Sequence, residues 1–72
     1  MLTNNRVSSD KDKEYHYDWA YDPAYLDHEP PIIVYNLYRR QSAYVYYCIA
    51  TCRNLSDASA IVDTLNQASS YS

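Results

Sequence analysis

The 72-residue sequence contains no glycine, no phenylalanine and only two cysteines. Without glycine, the chain lacks the phosphate-binding loops and the nucleophile elbow on which many nucleotide-binding proteins and hydrolases depend. Two cysteines do not make the disulfide framework of a small secreted domain. If Cys48 and Cys52 lie on one strand, their Cα atoms are about 13 Å apart, beyond the ~7 Å limit for a disulfide. Both are therefore predicted to be free thiols in a reducing cytoplasm.

Long hydrophobic runs are also missing. No apolar run approaches the roughly 20 residues that span a membrane, and the N-terminal residues lack the apolar core of a signal peptide. A soluble, cytoplasmic protein without a membrane partner is expected. A chain of 72 residues forms one domain at most, and at this size only about 60% of the unfolded surface becomes buried. We therefore expect stability to come in part from a partner or from self-association.

Acidic residues are concentrated in one segment. The net charge is −3, and residues 10–29 hold seven acids against two lysines. Such a segment repels nucleic acid and suits a partner with a basic surface. Carboxylates held at intervals on a folded surface can also imitate DNA phosphates. The alternative is a charged segment that serves only solubility.

Tyrosine dominates the aromatic residues, with ten tyrosines and one tryptophan. Phenylalanine would fill a core without a hydroxyl group to satisfy, so its absence is unexpected for purely structural aromatic residues. Tyrosine is enriched at protein interfaces. The composition therefore predicts an interaction surface, and amino-acid usage in a half-exposed sheet is the alternative.

The first predicted element is a strand that follows a polar arm. Residues 1–13 are polar and aperiodic, which predicts a flexible arm before a single domain over residues 14–69. The segment EYHYDWAY, residues 14–21, alternates with the period of a strand. Its aromatic face comprises Tyr15, Tyr17, Trp19 and Tyr21, and its polar face comprises His16, Asp18 and Asp22. The following DPAYLDHEPP is predicted to be a connector, because Asp-Pro and Pro-Pro pairs break structure at its two ends.

Residues 32–52 are predicted to form a β-hairpin, since two β-branched and aromatic runs surround a polar centre. Tight two-residue turns need positive φ, and the chain has no glycine, so a four-residue connection at residues 40–43 is predicted. This register pairs Arg39 with Tyr44, Leu37 with Tyr46, and Tyr35 with Cys48. One face then comprises Ile33, Tyr35, Leu37, Tyr44, Tyr46, Cys48, Ala50 and Cys52, and the other comprises Ile32, Val34, Asn36, Tyr38, Val45, Tyr47, Ile49 and Thr51.

A C-terminal helix is the clearest element. Asn54 is a good N-cap residue with Asp57 three positions later, and apolar residues follow at helical spacing. A helix from Leu55 to Gln67 is predicted. Its close approach is expected where the hairpin face carries small side chains, at Cys48, Ala50 and Cys52. The predicted fold class is therefore α+β, with a small antiparallel sheet, made of the hairpin and a third N-terminal strand, packed by one helix.

One helix cannot cover both faces of this sheet. The aromatic strand is expected to cover the second face, either by pairing as a third strand or by folding across it. A homodimer or a foreign protein could cover it instead, because exposed apolar patches and open sheet edges are typical of interaction sites.

The sequence predicts no enzyme, no cofactor and no metal site. Cys48 and Cys52 are too far apart on a strand to chelate one ion, and their apolar context disfavours the reactive thiolate. His16 and His28 are expected to be ordinary surface histidines. Nucleotide or single-stranded nucleic-acid binding remains an alternative, in which basic and aromatic residues near the hairpin tip contact phosphates and stack on bases. The residues for this alternative are Tyr38, Arg39, Arg40 and Tyr44.

The run CIATCRNLSDASAIVDTLN resembles the end of many small phage-encoded proteins. In these a hairpin leads through a capped turn into a helix of the form Asp-Ala-x-x-Ile-Val-x-x-Leu-Asn, here Asp57 to Asn66, and the similarity extends from Ile32 over about half the chain. The resemblance implies an inhibitor that binds and blocks a host protein, as anti-CRISPR and other anti-defence proteins do.

The predicted function is therefore that of a protein-binding module, most concretely a phage-type inhibitor of a host defence protein or nucleoprotein complex. Its acidic, tyrosine-rich surface is expected to dock on a basic site. The residues predicted to contact the partner are Tyr17, Asp18, Trp19, Tyr21, Asp22, Tyr25 and Asp27. A self-assembling structural protein is the third interpretation.

Overall fold

A computed structural model describes residues 6–69 of the chain. Three antiparallel strands form one sheet in the order β1-β2-β3, where β1 is Tyr15–Tyr21, β2 is Ile33–Ser42 and β3 is Val45–Cys52. The 3-10 turn Pro23–Tyr25 lies between β1 and β2, and the helix α1, Leu55–Ser69, follows β3. The predicted α+β fold is confirmed. Neither helical segment of the described chain is long and apolar enough to cross a membrane.

The aromatic strand β1 pairs with β2 as a third strand, one of the two predicted arrangements. Its aromatic face lies on the helix side of the sheet, so these rings do not cover the second face as predicted. Tyr17 lies opposite Leu37, and Trp19 lies opposite Tyr35. Because directly opposite residues of paired strands share a face, these aromatic rings lie beside the large side chains of β2. The helix packs on this face. The buried core comprises Ile33, Tyr35, Leu37, Ala58 and Val62, with Tyr15, Tyr17, Trp19, Cys52 and Leu55 packed around it.

The helix begins where the capping residues predict. The Asn54 Oδ1 atom accepts a hydrogen bond from the Asp57 backbone amide at 2.9 Å. The Asn54 side-chain NH2 group donates to the Asp57 carboxylate at 2.9 Å. Two side chains thus fix the first turn of α1. The helix continues two residues past the predicted end at Gln67.

The predicted hairpin register is wrong. Tyr35 pairs with Cys52, Leu37 with Ala50, and Arg39 with Tyr47, around a two-residue turn at residues 43–44. No described residue has positive φ. Two irregularities change the register, one between Leu37 and Tyr38 and one between Arg40 and Ser42. The first leaves Ile49 of β3 as an extra residue, and the second leaves Gln41 of β2 as an extra residue. Extra residues of this kind bend the strands, so the chain can close a short turn without glycine.

The irregularity at Ile49 moves side chains between faces. Cys48 lies opposite Tyr38, on the face away from the helix, while Tyr47 lies opposite Arg39 on the helix face. The helix packs on the predicted face at Tyr35, Leu37 and Cys52. The predicted close approach at Cys48 and Ala50 is wrong, because both residues are exposed. The helix lies over β1 and β2 instead, where large apolar and aromatic side chains give more buried area than the small residues of β3.

The outer edge of β1 is covered by neighbouring segments. The Asn66 side chain accepts from the Tyr15 amide and donates to the Tyr15 carbonyl oxygen, each at 2.9 Å. The Ser9 hydroxyl accepts from the Tyr17 amide at 2.8 Å, and the Ser9 amide donates to the Tyr17 carbonyl oxygen at 3.0 Å. Ser9 is therefore hydrogen bonded alongside β1 at Tyr17. The flexible arm predicted over residues 1–13 stays a prediction, and residues 1–5 lie outside the described part.

Replacing Asn66 by alanine is expected to lower the free energy of unfolding by about 1–3 kcal/mol, because two hydrogen bonds between α1 and β1 are lost. Urea denaturation followed by circular dichroism measures this change. The control is Thr64→Ala on the same helix, whose exposed hydroxyl group donates to the Ala60 carbonyl oxygen within α1. It is expected to change stability by no more than about 0.5 kcal/mol. Equal stability of the two variants would contradict the assigned role of Asn66.

Candidate functional site

The connector between β1 and β2, residues 22–32, is held at its base by Asp22. The Asp22 amide donates to the Ile32 carbonyl oxygen at 2.9 Å, which closes the loop. Its buried carboxylate accepts from the Ala24 amide at 3.0 Å and from the Arg53 guanidinium at 3.1 Å. A buried carboxylate needs such partners to offset its lost hydration. Asp22 therefore connects the loop to the segment that joins β3 and α1.

The loop is also hydrogen bonded along its own backbone. The Tyr25 amide donates to the Asp22 carbonyl oxygen at 3.1 Å, and the His28 amide donates to the Tyr25 carbonyl oxygen at 3.0 Å. The His28 Nδ1 atom lies 2.7 Å from the Pro30 carbonyl oxygen and must carry the proton in this bond, since a carbonyl oxygen only accepts. The Tyr25 ring meets the His28 ring edge to face. These contacts fix the conformation of the loop.

Despite this order, the loop exposes its side chains. Every residue from 23 to 30 is exposed, and the Leu26 side chain is 70% accessible to solvent. Tyr21, at the end of β1, is also exposed. We call the exposed apolar and acidic residues here the loop surface. It comprises Tyr21, Tyr25, Leu26, Asp27 and Glu29. Exposed apolar residues on an ordered loop are typical of a contact surface.

A recess of about 550 Å³ lies beside the loop surface. Buried Val34 contributes an apolar wall, and the Arg53 guanidinium, held by Asp22, contributes hydrogen-bond donors. Thr51 donates to the Asn36 side chain at 2.8 Å within the same recess. The remaining lining residues are Tyr21, Asp22 and Pro23. The recess can accept a side chain that has both an apolar part and a hydrogen-bond acceptor.

The predicted partner-contacting residues are divided by the fold. Four of them meet at the loop, namely Tyr21, Asp22, Tyr25 and Asp27, although Asp22 is buried and serves as an anchor. Tyr17 and Trp19 pack against the core under the helix. Asp18 lies opposite Asn36, on the other face, and pairs with Lys11 at 3.7 Å. The seven residues therefore do not form one surface.

The acidic segment is likewise not one patch. Three of its acids form ion pairs, with Glu14 bonded to Arg39, Asp18 to Lys11 and Asp22 to Arg53. A hydrogen bond from Ser69 and the adjacent Arg39 lower the pKa of Glu14. The other four acids lie in two pairs near opposite ends of β1, about 20 Å apart for a seven-residue strand. These pairs are Asp10 with Asp12 and Asp27 with Glu29.

The residues predicted for nucleotide binding also point in different directions. Arg39 lies on the helix face, where it contacts Glu14 and the Tyr15 ring. Arg40 belongs to the opposite face and donates to the Asp12 carbonyl oxygen at 3.1 Å. Tyr38 stacks on His16, and Tyr44 is exposed at the turn. Tyr38 and Arg40 share one face, where Tyr38 stacks on His16 and Arg40 is bonded to Asp12, whereas Arg39 lies on the other face. The four residues therefore do not form one surface.

No protein family, curated protein or solved structure matches this chain. The candidate site therefore depends on its geometry alone.

Three residues of interest were missed in the sequence. Leu26 is an apolar residue inside a polar, proline-bounded segment, a signal that could have been noticed. The contact between Arg53 and Asp22 has no signal in the linear pattern, because the two residues are 31 positions apart. His16 is buried rather than a surface histidine.

The cysteines and possible metal ligands add no second site. Burial, with a smaller effect of Asp57, raises the pKa of the Cys52 thiol, which disfavours the reactive thiolate. Cys48 is exposed. Within residues 6–69 no three histidine, cysteine or acidic side chains converge as metal ligands would.

Proposed function

We propose that this protein is a non-enzymatic protein-binding module that contacts its partner through the loop surface. The observation that supports this proposal is the combination of order and exposure in one segment. Residues 22–32 are hydrogen bonded at their base and along their backbone, yet Tyr25 and Leu26 are exposed. A loop that is already ordered loses little conformational entropy on binding, so its contacts contribute more fully to affinity.

The composition of the loop surface suggests the chemistry of the partner. Tyrosine side chains are frequent energetic anchors of interfaces, and Leu26 supplies an apolar contact between them and the acids. Asp27 and Glu29 form no ion pair with another described residue. Unpaired carboxylates at the rim of an apolar contact favour a partner with basic residues around an apolar depression. The chain from Ile32 onward resembles small phage-encoded proteins, some of which are anti-defence inhibitors. On the basis of this resemblance, the partner that we propose is a host defence protein in the cytoplasm.

The double variant Tyr25→Ala/Leu26→Ala is expected to weaken partner binding at least about tenfold, because each residue contributes an exposed apolar anchor. The partner is first identified by affinity purification from the host and mass spectrometry, and its affinity is then measured by calorimetry. The matched control is Ile61→Ala, which removes a comparable exposed apolar side chain from α1. An unchanged affinity of the double variant would refute the loop surface as the contact.

The charge contribution is separable from the apolar one. Reversal of both acids, in Asp27→Lys/Glu29→Lys, is expected to slow association and to invert its dependence on salt, with less effect on dissociation. Stopped-flow or surface-based kinetics at two ionic strengths measures this. The control is the same reversal at Asp10 and Asp12, which lie near the other end of β1. If both reversals behave alike, overall charge rather than the loop surface guides the encounter.

A further inference from the structure

The two edges of the sheet are treated differently by the fold. The first half of the β1 edge is blocked, since Ser9 and Asn66 satisfy the backbone groups of Tyr17 and Tyr15. β3 is the other edge. Apart from its pairing with β2, the hydrogen bonds found among residues 6–69 reach the backbone of β3 at one point. This is a weak contact from the Cys48 thiol to the Ala50 carbonyl oxygen, at 3.6 Å. The outward backbone groups of β3 are therefore available for another strand.

Several side chains of β3 also remain exposed, because the helix lies mainly over β1 and β2. Val45, Tyr47 and Ile49 are each between 46% and 54% exposed. No charged residue and no proline occurs from Gln41 to Cys52. Natural edge strands are usually protected by charged side chains or proline, and β3 has neither. β3 has one other protective feature, the irregularity at Ile49. It limits regular pairing with a further strand to Val45–Cys48, the half of β3 before Ile49.

We propose that two copies of this chain associate through the Val45–Cys48 half of β3, with the two strands antiparallel about a two-fold axis. The charge distribution selects a second copy as the occupant. The protein carries a net charge of −3, so contacts through its acidic segment would place like charges together. The β3 surface carries no charge and meets itself without repulsion. An isologous contact of this kind joins the two sheets and covers Val45 and Tyr47.

This association leaves the loop surface free. Cys52 of β3 lies opposite Tyr35, near the loop end of the sheet, whereas Val45 lies at the hairpin turn. The pairing half of β3 is therefore the half far from the loop. A dimer built this way presents two loop surfaces, and a partner with two sites would be bound more tightly than by one copy. The dimer itself does not depend on the proposed function, because it uses different residues.

The test is sedimentation equilibrium of the full chain over roughly 1 μM to 1 mM, the range expected for a small interface. The wild-type protein is expected to shift from monomer to dimer within this range. Val45→Lys and Tyr47→Lys, each placed at an exposed position, are expected to shift the dissociation constant upward by at least about tenfold, since each puts like charges across the two-fold axis. Circular dichroism establishes that each variant folds, and the two single variants serve as alternatives if one does not.

Two outcomes would overturn this proposal. One is a wild-type protein that stays monomeric over the whole range, and the other is a lysine variant that dimerises as well as wild type. The Tyr25→Ala/Leu26→Ala variant is the matched control and is expected to dimerise normally while losing partner binding. Concentration-dependent slowing of amide exchange in β3, absent from β1, is the expected second readout.

Discussion

The variant Leu37→Ala is expected to lose about 2–5 kcal/mol of its free energy of unfolding. A domain of 72 residues has a total of only about 4–11 kcal/mol at roughly 0.05–0.15 kcal/mol per residue. The substitution therefore removes a large part of the whole stability. The midpoint of thermal denaturation is expected to fall by about 10–30 °C. Circular dichroism and the fluorescence of Trp19 measure both quantities.

The size of this effect follows from the position of Leu37. It is 1% exposed and is the largest completely buried side chain in the described part of the chain. Tyr17 and Ala50 lie opposite it on the two neighbouring strands, and Ala58 and Val62 cover it from the helix. A cavity at this point removes contacts to all three strands and to α1, and a small domain has no second core to compensate.

The same substitution at Leu26 provides a matched control. Leu26 is 70% exposed, so Leu26→Ala is expected to change the free energy of unfolding by no more than about 0.5 kcal/mol. If Leu37→Ala and Leu26→Ala destabilised the protein equally, the core described above would be wrong. Because Leu26→Ala leaves the fold intact, it also isolates the contribution of Leu26 to partner binding.

The elements of the fold could be predicted because each has a local signal. The alternation in residues 14–21 indicates β1, and the reciprocal Asn54 and Asp57 side chains indicate the start of α1. The register was wrong mainly because the turn lies at residues 43–44 and not at 40–43, which moves the partner of Tyr35 from Cys48 to Cys52. The extra residue at Ile49 also has no signal in a run of uniformly β-forming residues. One inserted residue reverses the face of every residue between it and the turn. For that reason Tyr46 and Cys48 lie on the face opposite to the predicted one.

The candidate site could be predicted only in part, for a related reason. Tyr21, Tyr25 and Asp27 are close in sequence and remain close in space. Tyr17 and Trp19 belong to the same aromatic alternation, but they pack against the buried core on the helix face. The pattern alone does not show where a distant helix will lie. Contacts such as that between Asp22 and Arg53 join residues far apart in sequence and become visible only in the folded chain.

The face of the sheet away from the helix contains a buried histidine. His16 is 3% exposed, stacks on Tyr38 at a centroid distance of 5.1 Å, and meets the edge of Tyr46 at 4.9 Å. Its Nδ1 atom is buried without a partner in the described structure. Burial lowers the pKa of His16 from its ordinary value of 6.5, Lys11 lowers it further, and Asp18 acts in the opposite direction. The folded protein therefore favours the neutral imidazole.

This lowered pKa predicts a loss of stability in mild acid. The unfolded chain binds a proton at His16 before the folded chain does, so the unfolded state gains stability as pH falls below about 6.5. The contribution of His16 is fully present above pH 6.5 and disappears as the pH falls through its lower folded-state pKa. Glu14, whose pKa is lowered from 4.5, contributes in the same direction at more acidic pH. Urea midpoints measured between about pH 8 and pH 5 follow the contribution of His16 alone, because that of Glu14 is lost only below pH 4.5.

The variant His16→Phe isolates the effect of the histidine. Phenylalanine keeps an aromatic ring between Tyr38 and Tyr46 and removes the unpartnered Nδ1 atom, whose burial costs about 1–3 kcal/mol. At pH 8 the variant is expected to be at least as stable as wild type, and its stability is expected to stay nearly constant down to pH 5. His28→Phe, at an exposed position, is the control and is expected to retain the wild-type loss. If His16→Phe lost stability in mild acid as steeply as wild type, another group would be responsible and His16 would not be buried in its neutral form.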